Sequence, residues 1–374
     1  MSIPGLARFG ACLLTVAVGA SGQTYSPFSP SPDEPLIDRV NPVDRLPASP
    51  LSDAVQHELK LAGDYLAGRG VAKNAATAAH WYRTAADQGD PAAQNQLGFL
   101  YLTGVGVQPD DTEAFKWFAR AAGSGFEPAK LNLAVMYMHG QGVTRDTSLG
   151  LQMLRDLAAK DDPIAEDYLG VAYFTGMGVN IDHSAGEKWF ARAARRHEPE
   201  AEFDMGLLES TVADHPHDFA RGAGYFRSAV QAGYVPAMHS LGLLLALHPE
   251  LPHKPDEPEK LLLTAAQAGF WRSSALLGIL ARSGRGRTAD QAEAYRWFLI
   301  AAGQGGPKAE SLLANDLATG RAALDPEVQT REQQQANVWL QQHGTKLTFV
   351  FGERYRNRGF PIAEIREPLS LTAN

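Results

Sequence analysis

The stretch AQNQLGFLYLTGVGVQPDDTEAFKWFARAAGSG, residues 93–125, decides the fold, because its landmarks recur along the chain at intervals of 36 residues. The clearest landmark is a leucine or methionine followed by a small residue. It is found at Leu61-Ala62, Leu97-Gly98, Leu133-Ala134, Leu169-Gly170, Met205-Gly206, Leu241-Gly242, Leu277-Gly278 and Leu313-Ala314. The register runs without a gap from residue 54 to about residue 320, which predicts one repeat array rather than several unrelated domains.

Each unit of this pattern predicts two helices joined by a turn. Ala93, Leu97 and Tyr101 recur at i, i+4 and i+8, which places them on one face of a first helix. Gly104 follows, and glycine readily takes the left-handed backbone at a helix C-terminus. The next helix begins at a capping signal, whose side-chain oxygen accepts hydrogen bonds from free N–H groups of the first turn. These signals are Asp110-x-x-Glu113, Ser184-x-x-Glu187 and Asp290-x-x-Glu293.

The second helix carries the large apolar side chains of the unit. Trp117-Phe118 and Ala121-Ala122 face back onto the first helix, and the small residue Gly98 lets the two helices approach closely. One helix pair cannot bury this face alone, so successive units must stack. The sequence therefore predicts an all-α, right-handed superhelical solenoid of about seven and a half helix-turn-helix units of 36 residues, in which the eighth loses the tryptophan column at Gln333.

The unit from Ala93 to Gly125 resembles the Sel1-like repeat, a relative of the tetratricopeptide repeat. It carries, in order, Ala-x-x-x-Leu-Gly-x-x-Tyr, Gly-x-Gly-Val and Ala-x-x-Trp-Phe-x-x-Ala-Ala. The resemblance implies a non-catalytic scaffold that binds a protein or peptide partner. Because many family members are exported bacterial proteins, it also implies a place in the cell envelope. It identifies no particular partner.

A second class of function is a cell-wall-directed hydrolase or a penicillin-binding, β-lactamase-like repeat protein, since some Sel1-like proteins are described in this way. Those proteins are stapled by disulfides, whereas Cys12 is the single cysteine of this chain. The sequence also contains no Ser-x-x-Lys, Gly-x-Ser-x-Gly, His-Glu-x-x-His or P-loop motif. We therefore predict neither a catalytic residue nor a cofactor, and two buried acids flanking a cleft are the feature that would favour the hydrolase.

Charge and spacing argue against two further kinds of site. The chain has 34 Lys plus Arg against 42 Asp plus Glu, a net charge of -8, which disfavours nucleic acid as a partner. His217 and His253 occupy equivalent positions in adjacent units, about 10 Å apart if the helices pack normally. A zinc ion needs its ligands within about 2 Å, so no metal site is predicted.

The termini predict export and two flanking segments. Residues 1–22 contain Arg8, an apolar run and then small residues, the order of a secretory signal peptide. The run is shorter than the roughly 20 residues that span a bilayer, which favours a cleaved signal, without stable membrane insertion afterwards, over an uncleaved anchor. We predict a Pro-rich linker at 23–52, the solenoid at 53–343 and a tail with an arginine cluster at 344–374. The expected location is periplasmic or secreted.

The candidate partner-binding surface follows from helical geometry. At about 100° per residue, positions opposite the face of Ala93, Leu97 and Tyr101 point to the concave side of the stack. The alternative is that the column of Phe99 packs between neighbouring first helices. The predicted contact residues are Asn95, Phe99, Leu102, Leu131, Val135, Met138, Asp167, Phe174 and Phe203, with His139 at the rim.

Two regions depart from the repeat. Residues 205–262 lose the tyrosine and the paired glycines while keeping the 36-residue spacing, so we expect their helices to persist. Decay of the repeat is favoured there over a specialised partner site. In the tail, a contact with the last helices is favoured over a docking signal. The tail's arginines are Arg354, Arg356, Arg358 and Arg366.

Overall fold

The computed structural model describes residues 53–211, 217–284 and 288–343. The predicted signal peptide, linker and tail lie outside these residues, as do positions 212–216 and 285–287. Contacts divide the described chain between Ala193 and Ala194 into two compact bodies. We call residues 53–193 the N-terminal body and the described residues from 194 to 343 the C-terminal body.

All regular secondary structure in the described ranges is helical, which confirms an all-α repeat solenoid. The first helices of the units are odd-numbered as far as α13, and the second helices are even-numbered. The N-terminal body contains α1 (Asp53–Ala67), α2 (Ala75–Asp87), α3 (Pro91–Thr103), α4 (Asp111–Gly123), α5 (Glu127–His139), α6 (Thr147–Ala158), α7 (Pro163–Thr175) and α8 (His183–Ala194), whose last residue begins the next body. The C-terminal body contains α9 (Pro199–Thr211), α10 (Phe219–Gln231), α11 (Val235–Leu247), α12 (Glu257–Gln267), α13 (Trp271–Ser283), α14 (Gln291–Ala322) and α15 (Pro326–His343).

The long helix α14 is two helices joined at a sharp bend. Gly306 has φ 62° and ψ −153°, outside the helical region, and Pro307 follows it. The part before Gly306 is the second helix of the seventh unit, and the part after it is the first helix of the eighth. The repeat therefore continues to α15, although the glycine turn between these two helices is reduced to a bend.

The turns form as the sequence predicts. Gly104 ends α3 in the left-handed conformation with φ 68°, and the Asp110 carboxylate accepts a hydrogen bond of 3.0 Å from the Glu113 N–H. The Asp110 N–H also donates to the Tyr101 carbonyl oxygen, at 2.9 Å. This last bond ties the start of the second helix to the end of the first.

The cap of α8 differs from the prediction. Asp182, not Ser184, accepts the capping hydrogen bond, from the Ala185 N–H at 2.9 Å. The reason is the register, since Asp182 lies 36 residues after Asp146, which caps α6 through the Leu149 N–H at 2.9 Å. Ser184 lies inside the first turn of the helix instead.

The two helices of a unit touch where the small residue of the first meets the aromatic of the second. A side chain on Gly98 would have its Cβ 2.8 Å from the Phe118 ring, and the same contact recurs between Gly170 and Phe190 at 2.5 Å. Both aromatic rings are fully buried. Glycine at this position is therefore what allows an aromatic ring to fill the space between the helices.

Candidate partner-binding surface

The structure buries most of the residues predicted to line a groove. Asn95, Phe99, Leu131, Val135, Met138, Asp167, Phe174 and Phe203 are buried, and Leu102 and His139 are half-buried. The expectation that these columns form an open apolar groove is therefore wrong for the eight buried side chains. Whether any of the ten positions contributes to partner binding stays a prediction.

The buried members pack against the second helices and against neighbouring first helices. Met138 lies against α6, where a Cβ on Gly150 would be 2.5 Å from its Cγ. Phe174 stacks on His183 of α8 with ring centroids 4.9 Å apart. In the C-terminal body, Phe203 lies 5.3 Å from the ring of Tyr234 at the start of α11. These side chains are held in place by the fold itself, because each first helix has neighbours on several sides.

One buried column links successive first helices by a polar contact. Asn95 on α3 is buried, and its Oδ1 accepts a hydrogen bond of 3.0 Å from Nδ2 of Asn132 on α5. The amide of Asn132 is half-buried. The side-chain amide of Asn95, which the sequence assigned to a partner, is thus bonded within the protein. Asn132 on the next first helix is the more accessible residue of the pair.

The half-buried side chains on one side of the first helices follow four columns of the repeat, one of which, the Phe99 column, was also among the predicted ones. These are the columns of Ala92, Gln96, Phe99 and Thr103, although in α3 itself Ala92, Gln96 and Phe99 are buried and only Thr103 is half-buried. In the N-terminal body we call the half-buried residues on this side the first-helix stripe. The stripe consists of Thr103, Pro128, Asn132, His139, Ile164, Val171 and Thr175, on α3, α5 and α7.

Some members of the same columns are half-buried in the C-terminal body, considered by itself, whereas others, such as Glu200, Asp204 and Leu276, are buried. Half-buried side chains occur there on α9, α11 and α13. They are Leu207, Ser240, Leu243, Leu247 and Arg272. Accessibility in these columns therefore varies from unit to unit.

His139 gives the stripe a neutral hydrogen-bonding group. Burial lowers the pKa of its imidazole to about 4, and the nearby charge of Arg145 acts in the same direction. At neutral pH the ring is therefore uncharged and can donate one hydrogen bond and accept another. This property distinguishes it from a surface histidine that gains charge just below neutrality.

Several acidic side chains are buried, and two of them, Glu166 and Glu202, have polar partners on the next helix. Glu166 on α7 is fully buried and lies 2.7 Å from the Arg192 guanidinium of α8. One repeat later, Glu202 accepts a hydrogen bond of 2.6 Å from the Ser228 hydroxyl. These pairs tie a first helix to its second helix. Sequence reasoning missed them, although the 36-residue interval between the two glutamates was the available signal.

The described ranges contain neither a candidate metal centre nor a helix that could span a membrane. Among those residues, no three His, Cys, Asp or Glu side chains are grouped in a way that could hold a metal ion. His253 instead lies 2.7 Å, through Nδ1, from the Leu251 carbonyl oxygen in its own loop. None of the helices in these ranges is both long enough and apolar enough to cross a membrane.

The paired helices, the 36-residue register and the glycine-ended first helices define a helical repeat protein of the solenoid class. The Sel1 repeat model matches residues 58–90, 91–126, 128–162, 163–197, 199–234 and 272–306, which is more than half of the chain. The chain belongs to the Sel1 repeat family. The unmatched interval contains α11 and α12, where the tyrosine and glycine columns are lost.

Several solved structures are similar to the chain, and the first one described here agrees with this assignment. A Sel1 repeat protein from Oxalobacter formigenes is 30% identical, with a TM-score of 0.56 over 66% of this chain and 98% of that one. A protective antigen of uropathogenic Escherichia coli with an SLR fold is 19% identical, with a TM-score of 0.42 over 78% of this chain and 70% of that one. An immunity protein from Pseudomonas aeruginosa is 20% identical, with a TM-score of 0.42 over 63% of this chain and 86% of that one. A comparison with curated proteins gives no significant match.

Membership of the family carries a general functional meaning. Sel1 repeat proteins are generally scaffolds for protein–protein interaction, and their solenoid fold is typically non-catalytic.

Proposed function

We propose that this protein is a non-catalytic scaffold that binds a protein or peptide partner through the first-helix stripe. The observation that carries the proposal is that Thr103, His139 and Thr175 are half-buried at equivalent positions of α3, α5 and α7, beside further half-buried side chains on α5 and α7. These helices are packed into the core on their other sides, so the stripe is presented on a rigid support. A surface of this kind loses little conformational entropy when a partner binds.

The stripe offers two kinds of contact. Ile164 and Val171 provide apolar area on α7, whereas Asn132 and His139 on α5 provide hydrogen-bonding groups. Because the imidazole of His139 is neutral above about pH 4, it suits an amide or a hydroxyl better than a charged group. This combination favours a peptide segment with alternating apolar and polar side chains.

Replacing Val171 by lysine tests the stripe. A charge at the centre of the contact would be desolvated by the partner, so we expect capture to weaken by at least about tenfold, equivalent to about 1.4 kcal/mol. The full chain carries an affinity tag and is incubated with an envelope extract of its own organism. Retained proteins are then quantified by mass spectrometry.

Ile181→Lys is the matched control for Val171→Lys. It also replaces a β-branched apolar residue by lysine, but Ile181 is 63% exposed in the connection between α7 and α8 and lies outside the stripe. Circular dichroism checks that both variants keep their helices. If Val171→Lys retains its partners as well as Ile181→Lys does, the stripe is not the binding surface.

We also propose that the chain is exported to the periplasm or secreted. The proposal rests on the order of charge, apolar run and small residues in positions 1–22. Changing both Leu13 and Leu14 to arginine should keep the protein in the cytoplasm with its N-terminus unprocessed. Cell fractionation and the mass of the N-terminal peptide measure this, with Gln23→Arg as the control. Unaltered export of the double variant would contradict the proposal.

A further inference from the structure

The turn that follows α5 holds a charged side chain beside the half-buried imidazole of His139. Arg145 lies in this turn, and its Nε–H is shared between the Met138 carbonyl oxygen at 3.0 Å and the Thr147 hydroxyl at 3.3 Å. Because Met138 directly precedes His139, the first of these contacts anchors the guanidinium at the end of the first-helix stripe. The charge of Arg145 acts on the His139 ring and adds to the effect of burial in lowering its pKa to about 4.

The rest of the Arg145 guanidinium has no acidic partner among the described residues. The two acids that border the turn are engaged elsewhere. The Asp146 carboxylate accepts a hydrogen bond of 2.9 Å from the Leu149 N–H, and Asp111 accepts one of 3.2 Å from Nε2 of Gln141. Arg145 itself is exposed. The four N–H groups of its two terminal nitrogens are therefore open to a partner molecule.

The imidazole of His139 is also without a hydrogen-bonding partner in the described part of the chain. The other histidine whose pKa burial lowers strongly, His239, differs in this respect, because its Nδ1 lies 3.0 Å from the Ser273 hydroxyl. An unpaired nitrogen on a half-buried ring costs free energy that a ligand can recover by bonding to it. A charged group and a neutral one thus lie side by side, and both lack a partner within the described chain.

The two neighbouring units do not repeat this pair. The equivalents of His139 are Thr103 on α3 and Thr175 on α7, and the hydroxyl of each donates to a carbonyl oxygen of its own helix at 2.9 Å. The arginine is replaced by a proline in the unit before and by an isoleucine in the unit after. The pair belongs to the third unit, formed by α5 and α6, and the packing of the repeat does not require it.

An acidic side chain is the ligand that fits the charged member of the pair. The chain as a whole has a net charge of -8, so an arginine without an acidic partner stands out as a local positive site. A guanidinium binds a carboxylate through two parallel hydrogen bonds, which gives the contact a fixed orientation. The Nε–H of Arg145 is already used within the protein, and its two terminal nitrogens can form such a pair.

The helix that carries His139 also offers a contact for the backbone of a peptide. Asn132 lies seven residues earlier on α5, two turns away on the same side and about 10.5 Å along the helix. Its Nδ2 donates to Asn95, which leaves its amide oxygen to accept a hydrogen bond from a ligand. An extended peptide advances about 3.3 Å per residue, so about three of its residues cover the distance from His139 to Asn132.

We propose that the first-helix stripe recognises a peptide segment with an aspartate or glutamate, whose carboxylate binds the terminal nitrogens of Arg145 while the backbone N–H of the same residue donates to His139. Asn132 accepts a second backbone N–H about three residues away. This inference rests on the proposed function, because it names the chemistry of the partner that the stripe binds. The acidic residue sets the register in which the peptide lies along α5.

Selection from random peptides tests the preference for an acid. The full chain is immobilised and incubated with phage that display random seven-residue peptides, and the retained sequences are counted. We expect Asp or Glu at one position of the retained peptides to be at least tenfold more frequent than Asn or Gln. Arg145→Gln should lose this preference. Arg155→Gln is the matched control and should keep it, since Arg155 is exposed on α6 and lies outside the stripe.

Affinities of one selected peptide locate the acid at Arg145. The peptide is compared with its analogue in which the acid is replaced by the corresponding amide. We expect the acidic peptide to bind the unsubstituted chain at least tenfold more tightly than the amide analogue, and to bind Arg145→Gln no more tightly than the analogue does. Equal binding of the amide analogue by both proteins shows that the stripe is intact in Arg145→Gln.

The outcomes separate this inference from the proposed function. Retained peptides without a preferred acid, whose binding is lost in Val171→Lys, would overturn the inference and leave the stripe as the binding surface. An acid preference that persists in Arg145→Gln would also overturn it. Failure to retain any peptide, or equal retention by Val171→Lys and the unsubstituted chain, would contradict the proposed function and this inference together.

Discussion

Gly106 shows how a single residue sets the distance between successive repeat units. It is the second glycine of the turn after α3 and has φ 75°. Its missing side chain leaves room for the Ala75 carbonyl oxygen of the preceding second helix. The paired glycines of the repeat therefore have separate roles, since the first ends a helix and the second allows the backbones of two units to touch.

We predict that Gly106→Ala destabilises the protein far more than Gly70→Ala. Both positions have left-handed backbone, with φ 75° and 72°, so alanine costs about 1 kcal/mol at either one. Only at Gly106 must the units also move apart, and we expect a total loss of about 3 kcal/mol or more there. Guanidinium unfolding of the two variants measures the difference. Equal losses would show that only the left-handed backbone, and not the close approach of the preceding unit, requires glycine at Gly106.

At the scale of the helix, the sequence predicted which elements form but not which side of a first helix is open. Ala93, Leu97 and Tyr101 mark the face that meets second helices, and the structure confirms that contact. Packing between successive first helices produces no comparable residue pattern in the sequence. The column of Asn95 contains Leu131, Asp167 and Phe203 in later units, a mixture that does not predict burial. Neighbouring side chains compensate for one another there, as Asn132 does for Asn95.

The irregular units show that the helices depend on spacing more than on the glycines. Helix α11 ends at Leu247, and the capping residue His248 has φ −120° instead of the left-handed backbone that follows α3. Between α9 and α10, the Asp218 N–H donates to the Glu209 carbonyl oxygen at 2.9 Å, which is the equivalent, three units later, of the bond from Asp110 to Tyr101. The prediction that these helices persist is confirmed, and this backbone bond is kept in a unit that lacks the paired glycines.

At the scale of the whole molecule, two histidines make stability depend on pH. Burial lowers the pKa of His139 to about 4 and that of His239 to about 3, with Arg145 and Arg272 acting in the same direction. Nδ1 of His239 also lies 3.0 Å from the Ser273 hydroxyl. Each ring is therefore neutral in the folded protein at a pH where an unfolded histidine, with a pKa near 6.5, is charged.

The sign of the effect follows from proton binding. Below about pH 6.5 the unfolded chain takes up protons that the folded protein does not, so the free energy of unfolding decreases as the pH falls. The decrease continues until the folded pKa of each ring is reached, near 4 for His139 and near 3 for His239. Between pH 7.5 and pH 5 each histidine should contribute a loss of about 2 kcal/mol.

We predict that His239→Asn removes about 2 kcal/mol of this loss, because asparagine can keep a polar contact with Ser273 but takes up no proton in this range. Guanidinium unfolding at pH 7.5 and pH 5 measures the change, and the variant is expected to be less stable than the unsubstituted protein at pH 7.5. His80→Asn is the control, since the His80 side chain is exposed on α2. The prediction is wrong if His239→Asn loses as much stability between the two pH values as His80→Asn and the unsubstituted protein do. The fold would then not hold His239 neutral, and acidification would expose its ring to water without unfolding the protein.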